Sequence, residues 1–202
     1  MKKNIFLISV MLSYVLLVGY FYHITKNKNI LLEKTKNLIQ VANHSKDQII
    51  EKLRSQITTD GSEISELTFV ENSKGESVPL KSLIQDKPLL VFFVKSINCS
   101  VCLDEEMAIF SEIIQKFKIN NRIIVIRSFQ NKRQKIVFEN QFNVPVYETK
   151  DNTLNIPAEK KQTPFYFVLT PEFLVQNTYI PDRYNSDLSK EYLEIVSKRL
   201  SN

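Results

Sequence analysis

Two cysteines, Cys99 and Cys102, are the only thiols among the 202 residues, and two residues separate them. They follow the apolar run Leu89–Val94 and precede apolar residues at helical intervals, which predicts a buried strand and then a helix beginning at the pair. At a helix N-terminus, unpaired N–H groups and the helix dipole stabilise a thiolate. Only the thiolate attacks disulfides. The spacing favours dithiol chemistry, with Cys99 as nucleophile and Cys102 as resolving thiol.

Three other uses of the pair stay open. A zinc site needs a second set of ligands, but the only histidines, His23 and His44, precede the predicted domain. A structural disulfide that closes so short a loop gains little entropy. The thiols could also pack as small unreactive hydrophobes. We expect neither a metal nor a cofactor.

The elements that would position the cysteines alternate between strand and helix. Such alternation predicts an α/β fold with a central mixed sheet, helices on both faces and an extra N-terminal β-hairpin. The predicted elements are a hairpin within 64–83, a strand at 89–94, a helix after the cysteines, a strand at 122–127, a helix at 131–140, an extended segment at 144–147, a polar loop at 148–162, strands at 165–169 and 173–180, and a helix at 187–200.

The N-terminus predicts a membrane anchor. The run Ile5–Tyr22 has 18 residues without a charge, near the lower limit for a span, and Lys2 and Lys3 precede it. No small-x-small site follows, so we interpret residues 1–26 as an uncleaved anchor, with a cleaved signal peptide as the alternative. Flanking lysines do not favour an external C-terminus, but long domains translocate largely regardless of them. We therefore expect the rest of the chain outside the cytoplasm.

Residues 27–60 separate this anchor from the predicted domain. They contain no Gly or Pro before Asp60, and their apolar residues recur at helical spacing: Leu31, Leu38, Ala42, Ile49, Leu53 and Ile57. One helix over residues 27–57 would extend about 45 Å. It is predicted to be a spacer, and a coiled coil that dimerises the chain through residues 31–57 is the alternative.

Charge does not indicate a nucleic-acid partner. The net charge of +5 and the isoelectric point near 9.1 include Lys2, Lys3 and Lys26. Without these three of the 27 basic residues, 24 basic residues stand against 22 acidic ones. Residues 61–202 are numerous enough for a single domain with its own core.

Further motifs give the domain a family resemblance. The strand predicted at 89–94 is preceded by Gly75, Val78 and Leu80 and followed by the cysteine motif. The dipeptide Thr163-Pro164 precedes the strand predicted at 165–169. From about residue 62 to 201 the chain resembles the thioredoxin superfamily, especially the redoxin branch of TlpA-like thiol-disulfide oxidoreductases and peroxiredoxins. The resemblance implies that Pro164 is cis and faces the cysteines, and that Thr163 offers its backbone to an extended substrate peptide.

Several residues depart from the family pattern. Asn98 replaces a common tryptophan, and Phe93 replaces the acid that assists proton transfer in many thioredoxins. Glu105 and Glu106 follow Cys102 by three and four residues, so either could supply that acid, although a solvated helix face is the simpler interpretation. Lys95 could lower the pKa of a thiol. Reductant and oxidant directions both stay open.

The resemblance implies a membrane-anchored thiol-disulfide oxidoreductase. It would be a single-pass protein of a bacterial inner membrane, with its domain in the periplasm or outside the cell. Its partners would be protein disulfides or dithiols and an electron donor or acceptor. A peroxiredoxin is an alternative: Ser96 and Cys99 fit its motif, but Phe92 stands where that motif has proline. A binding module without turnover is the third interpretation.

Overall fold

The computed structural model describes most of the chain and leaves out a few short segments, including Lys95 to Cys99. The residues described are 2–84, 86–94, 100–129, 131–149, 153–161, 163–182 and 185–201. Of these, residues 2–13, 15, 16 and 100–102 are described by their backbone alone.

The chain divides into two compact units, residues 1–51 and residues 52–202. Helix α1 (Lys2–Thr59) forms the first unit and contributes its last turns to the second. The helix predicted over the spacer is therefore present. Among the side chains described, no helix carries an apolar stretch suited to crossing a membrane. Most of the predicted anchor, 5–22, lies outside those side chains and stays a prediction.

In the part of the second unit that the structure describes, a mixed sheet has seven strands in the order β2-β1-β5-β4-β3-β6-β7. Strand β4 pairs in parallel with both β3 and β5, and the other neighbouring strands pair antiparallel. The predicted mixed sheet and N-terminal hairpin are confirmed. The strands are β1 (Phe69–Glu71), β2 (Ser77–Pro79), β3 (Leu89–Val94), β4 (Ile123–Arg127), β5 (Val146–Thr149), β6 (Phe165–Leu169) and β7 (Val175–Tyr179).

The described residues contain four further helices, and local sequence explains where α4 begins and ends. They are α2 (Lys81–Ile84), α3 (Ser100–Phe117), α4 (Lys132–Phe142) and α5 (Ser186–Ser201), with 3-10 helices at Asn120–Arg122 and Pro157–Lys161. The Asn131 side chain accepts a hydrogen bond from the backbone N–H of Gln134, which caps α4. Asn143 takes a left-handed conformation and ends it.

Strand β3 is buried along its whole length, as its apolar run predicts. Its side chains alternate between the two faces of the sheet. The face that holds Leu90, Phe92 and Val94 packs against α3, α4 and α5, and we call it the α3 face. The opposite face holds Leu89, Val91 and Phe93.

The opposite face is covered by short segments. The buried side chains that pack on this face include residues from helix α2, from the 3-10 helix at 157–161 and from the coil before it. The polar loop predicted at 148–162 is therefore wrong in part, because Leu154 and Ile156 point into the core. The buried Glu159 carboxylate accepts hydrogen bonds from both of their N–H groups, at 2.8 and 3.1 Å, and so folds this coil inward.

The end of α1 is attached to strand β7. Thr59 is fully buried, and Asp60 accepts a 2.7 Å hydrogen bond from the N–H of Thr178. Gly61 follows with a φ of +83°, a conformation that suits glycine, and its N–H donates to the carbonyl of Val175 at 2.7 Å. The turn predicted to end the helix is thus held against β7 of the second unit by hydrogen bonds.

Candidate functional site

The two predicted catalytic cysteines are only partly described. Cys102 lies in the first turn of α3, and its backbone alone is described. Cys99 and Lys95 lie outside the described residues. Helix α3 begins six residues after the end of the buried strand β3, so the predicted order of buried strand, cysteine motif and helix is confirmed.

Strand pairing places Thr163 and Pro164 at the same edge of the sheet. In the antiparallel pair of β3 and β6, Phe93 lies opposite Phe165. Continued by one residue, this register brings Pro164 opposite Val94, the last residue of β3, from which the chain continues to the cysteines. Thr163 is exposed and Pro164 is partly buried. The fold therefore brings these residues to the edge of the sheet at which β3 ends.

The prediction that Pro164 is cis is wrong. No cis peptide bond occurs among the described residues, which include both Thr163 and Pro164. A trans bond is the preferred form of an X–Pro peptide by about 0.5–1 kcal/mol. Thr163 is exposed, and its role in binding an extended peptide stays a prediction.

Glu106 is a buried carboxylate on α3, one turn after Cys102. Its side chain is 8% exposed. The hydroxyl of Tyr166 on β6 donates to Oε2 at 3.0 Å, and that of Ser189 on α5 donates to Oε1 at 2.8 Å. The solvated helix face suggested by the sequence is therefore wrong for Glu106, whereas Glu105 is exposed. Through the hydrogen bond from Tyr166, Glu106 links helix α3 to strand β6, which follows Pro164.

Burial changes the acid–base properties of this carboxyl group. Desolvation raises the pKa of Glu106, and it outweighs the hydrogen bonds from Ser189 and Tyr166 and the charge of Lys52, all of which act in the opposite direction. The pKa of Tyr166 is also raised well above its ordinary value, first by burial and then by the Glu106 charge. Tyr166 consequently remains a neutral donor while Glu106 becomes easier to protonate.

An aromatic cluster encloses the Glu106 network. Tyr166 stacks on Phe92 with ring centroids 4.3 Å apart and lies 5.6 Å from the ring of Phe110. Tyr192 packs beside Tyr166, at 5.9 Å. Tyr166, which donates to Glu106, is therefore packed among these rings. Phe93 stands where many thioredoxins carry the acid that assists proton transfer, and its side chain lies on the opposite face of the sheet.

Arg127 lies on the other flank of α3. It is the last residue of β4, and it pairs with Val94 of β3. Its guanidinium carbon lies 4.8 Å from the ring centroid of Phe129 and 4.7 Å from that of Phe138. Burial lowers its pKa, and attraction by Asp104, two residues after Cys102, raises it. A charged group thus stands at the carboxyl edge of the sheet, near the start of α3.

Sequence reasoning missed three of these side chains. Tyr166 interrupts an otherwise apolar strand with a hydroxyl, and Arg127 ends the apolar run Ile123–Ile126 with a charge. Both irregularities were available as signals. No comparable signal marked Ser189, because serines are common in amphipathic helices.

The described residues offer no metal site. Among them, no three His, Cys, Asp or Glu side chains lie together as metal ligands would. The two histidines lie along α1, where His23 is hydrogen-bonded to Asn27 at 3.1 Å and His44 to Gln48 at 3.0 Å.

Solved structures identify the fold. A thiol:disulfide interchange protein from Bacteroides sp. superposes with a TM-score of 0.52, at 19% identity, over 71% of this chain and 91% of its own. A protein from Aquifex aeolicus VF5 superposes with a TM-score of 0.53, at 16% identity, over 70% of this chain and 94% of its own. The chain has a thioredoxin-like fold. No protein-family model and no curated protein sequence matches it.

The thioredoxin-like fold agrees with the resemblance seen in the sequence. Peroxidoxin BcpB from Mycobacterium tuberculosis also superposes, with a TM-score of 0.50 and 16% identity, over 69% of this chain and 98% of its own. The names of this protein and of the interchange protein correspond to the two kinds of protein that the redoxin branch joins. At such low identity the likeness establishes the fold, and the activity has to be argued from the site.

Proposed function

We propose that this chain is a membrane-anchored thiol-disulfide oxidoreductase that exchanges disulfides with extracytoplasmic proteins through Cys99 and Cys102. The observation that carries the proposal is the thioredoxin-like fold with Cys102 in the first turn of α3, the helix that follows the central strand β3. Thr163 and Pro164 support it, because the register of β6 brings them to the same edge.

The first step is attack by Cys99. Its thiolate attacks one sulfur of a substrate disulfide, whose S–S bond breaks as a mixed disulfide forms. The second substrate sulfur leaves as a thiolate and takes a proton from water. An extended substrate peptide beside Thr163 would align the sulfur atoms for this exchange.

In the second step Cys102 resolves the mixed disulfide. Its thiol loses a proton, and the thiolate attacks the sulfur of Cys99, so that a Cys99–Cys102 disulfide forms and the substrate leaves reduced. Two electrons pass from the dithiol to the substrate, and the reverse sequence would oxidise a dithiol. Glu106, about 6 Å further along the helix axis, is the candidate acceptor of the Cys102 proton, because its raised pKa lies closer to that of a thiol.

Trapping tests the proposal directly. Cys102→Ser leaves the nucleophile but removes the resolving thiol, so mixed disulfides with partner proteins should accumulate and disappear on reduction. Cys99→Ser and the double variant are the controls and should trap nothing. A Cys102→Ser chain that traps no partner, together with a wild-type chain that cannot reduce insulin, would exclude disulfide exchange.

Peroxide reduction is the second candidate, favoured by the superposition on a peroxidoxin. It would use Cys99 as the thiolate that hydrogen peroxide oxidises to a sulfenic acid. Phe92 counts against it, because this position holds a ring stacked on Tyr166 where the peroxiredoxin motif has proline. Rapid sulfenic-acid formation at Cys99, measured with a dimedone probe, would favour this function over disulfide exchange.

A binding module without turnover would show different thiol chemistry. Its Cys99 would keep an ordinary pKa near 8.5, whereas an exchange enzyme lowers the pKa of its nucleophile. Thiol alkylation rates across pH separate the two functions.

The proposed location follows from the apolar run 5–22. It would anchor the chain in a bacterial inner membrane, with the thioredoxin-like domain in the periplasm or outside the cell. There it would meet protein disulfides and an electron donor or acceptor. Protease protection of the domain in intact spheroplasts would contradict this orientation.

Helix α1 supports a further proposal, dimerisation through residues 31–57. Leu31 and Leu38 are 66% and 71% exposed, and Ile49 and Leu53 are exposed as well. Pairing with a second α1 would bury these side chains. Leu31→Lys with Leu38→Lys should then convert a dimer to a monomer in light scattering; an unchanged mass would leave α1 as a spacer.

A further inference from the structure

The carboxyl edge of the sheet carries a cation for which the proposed mechanism has no use. Strands β3 and β4 run parallel and end side by side at Val94 and Arg127. In sheets with parallel strands, ligands bind outside the carboxyl ends of the strands. Arg127 therefore lies at the edge of the sheet where β3 ends, before the chain continues to the cysteine motif.

The Arg127 side chain lies on the α3 face. Residues of β4 alternate between faces, and Ile123 and Val125 belong to the core under α3. Phe129 and Phe138 contact the guanidinium at 4.8 and 4.7 Å. Cation–π contacts of this kind hold the planar group in place through its faces and use none of its N–H groups.

The hydrogen-bonding capacity of Arg127 is incompletely used. Its Nε is buried and has no hydrogen-bond partner among the described residues. Elsewhere the fold satisfies a buried cation: Lys135 donates to the carboxylate of Glu148 at 2.9 Å and to the carbonyl of Glu71 at 2.8 Å. Asp104 attracts Arg127 without forming an ion pair within the described residues.

We propose that Arg127 binds a carboxylate of the substrate, so that the site selects disulfides with an acidic residue beside them. Arg127 as a whole is only partly buried, and a carboxylate accepts two parallel hydrogen bonds from the two terminal nitrogens of a guanidinium. Since the substrates proposed above are proteins, an Asp or Glu side chain is the matching anion. The inference rests on the proposed function and adds a substrate class to it.

Two matched peptides test this selectivity. Each contains one disulfide, and they differ only in Glu or Gln beside a cysteine. The full wild-type chain in detergent should reduce the Glu peptide with a kcat/KM roughly tenfold to a hundredfold higher, mainly through KM, as expected for one charged hydrogen-bonding group. Arg127→Met should remove the preference and Arg127→Lys should weaken it. Arg122→Met, at the opposite end of β4, is the control and should retain it.

Salt provides a test without a variant. The wild-type preference for the Glu peptide should fall as ionic strength rises, since screening weakens a partly exposed ion pair. Equal kcat/KM for both peptides in the wild type, or an undiminished preference in a folded Arg127→Met chain, would overturn the proposal. If Arg127→Met does not fold, the preference of Arg127→Lys for the Glu peptide and the dependence of the wild-type preference on salt test the proposal instead.

Binding without turnover separates this proposal from the proposed function. A Cys99→Ser/Cys102→Ser chain is titrated calorimetrically with Glu and Gln peptides whose cysteines are replaced by serine. Selective binding of the Glu peptide supports the role of Arg127 even if the wild type reduces neither disulfide. Reduction of both disulfides at equal rates, without selective binding, removes the role of Arg127 and leaves disulfide exchange standing.

Discussion

The start of helix α3 has two charged neighbours whose surroundings differ. Glu106 is enclosed by aromatic rings and accepts hydrogen bonds from Tyr166 and Ser189. Arg127 is held between two rings, but its Nε lacks a partner among the described residues. The first group is satisfied within the protein, and the second has donor capacity left for a ligand.

This difference suggests a division of roles. A buried carboxyl with a raised pKa is suited to exchanging a proton with a neighbouring thiol. A guanidinium at the carboxyl edge of the sheet is suited to recognition, because its charge is retained at all relevant pH values. Chemistry and selectivity would thus be separated on the two flanks of one helix.

Replacing Glu106 should have the largest effect. Glu106→Gln keeps the size of the side chain but removes its proton-accepting carboxylate, so insulin reduction should slow by about a hundredfold or more. Glu105→Gln, its exposed neighbour, should stay near the wild-type rate. Equal rates for the two variants would assign Glu106 a structural role only. The accumulation of mixed disulfide in Glu106→Gln, measured by rapid quench, would locate the defect in the Cys102 step.

Removing one hydroxyl from the enclosed flank tests how firmly Glu106 is held. Tyr166→Phe retains the ring stacked on Phe92 but leaves Glu106 with one donor fewer, which should lower the free energy of unfolding by about 1.5–3 kcal/mol. Tyr192→Phe, whose hydroxyl binds the carbonyl of Asn177, is the matched control. Urea denaturation of both variants measures the difference, and a loss no larger than that of the control would contradict the assignment.

The pH dependence of stability should reveal the raised pKa of Glu106. The folded protein holds this proton more tightly than the unfolded chain, whose Glu pKa is about 4.3. The stabilisation is therefore complete below that pH and is lost as pH rises through the folded pKa, at no more than about 1.4 kcal/mol per pH unit. Unfolding of wild type and Glu106→Gln across this range should show the loss in the wild type alone. If the free energy of unfolding changes with pH in the same way in both proteins, the pKa of Glu106 is not raised by folding.

Replacing Arg127 should have the smallest effect on stability. Arg127→Met loses the contacts with Phe129 and Phe138, each worth about 0.5–1 kcal/mol at an exposed site, but it also removes a buried donor without a partner. These contributions oppose each other, so the free energy of unfolding should change by less than about 1 kcal/mol. A loss comparable to that of Tyr166→Phe would show that Arg127 supports the fold and would weaken its proposed role in recognition.

Much of the fold could be read from local pattern. The uninterrupted run Leu89–Val94 predicted a strand buried on both faces, and the spacing of Met107 and Phe110 predicted the helix after the cysteines. The coil at Leu154 and Ile156 was misjudged, because its burial depends on Glu159 binding backbone N–H groups within a surface loop. Hydrophobic periodicity does not report such bonds.

The sequence by itself determined the chemistry that the protein can attempt. It supplied one cysteine pair, the helix predicted at that pair, and the succession of strands and helices along the chain. Tertiary structure decided which groups can assist. Glu105 and Glu106 are adjacent and chemically identical, and only the packing of α3 against β6 and α5 buries one and exposes the other. Burial sets a pKa through desolvation, and desolvation depends on residues 60 and 83 positions away in the chain.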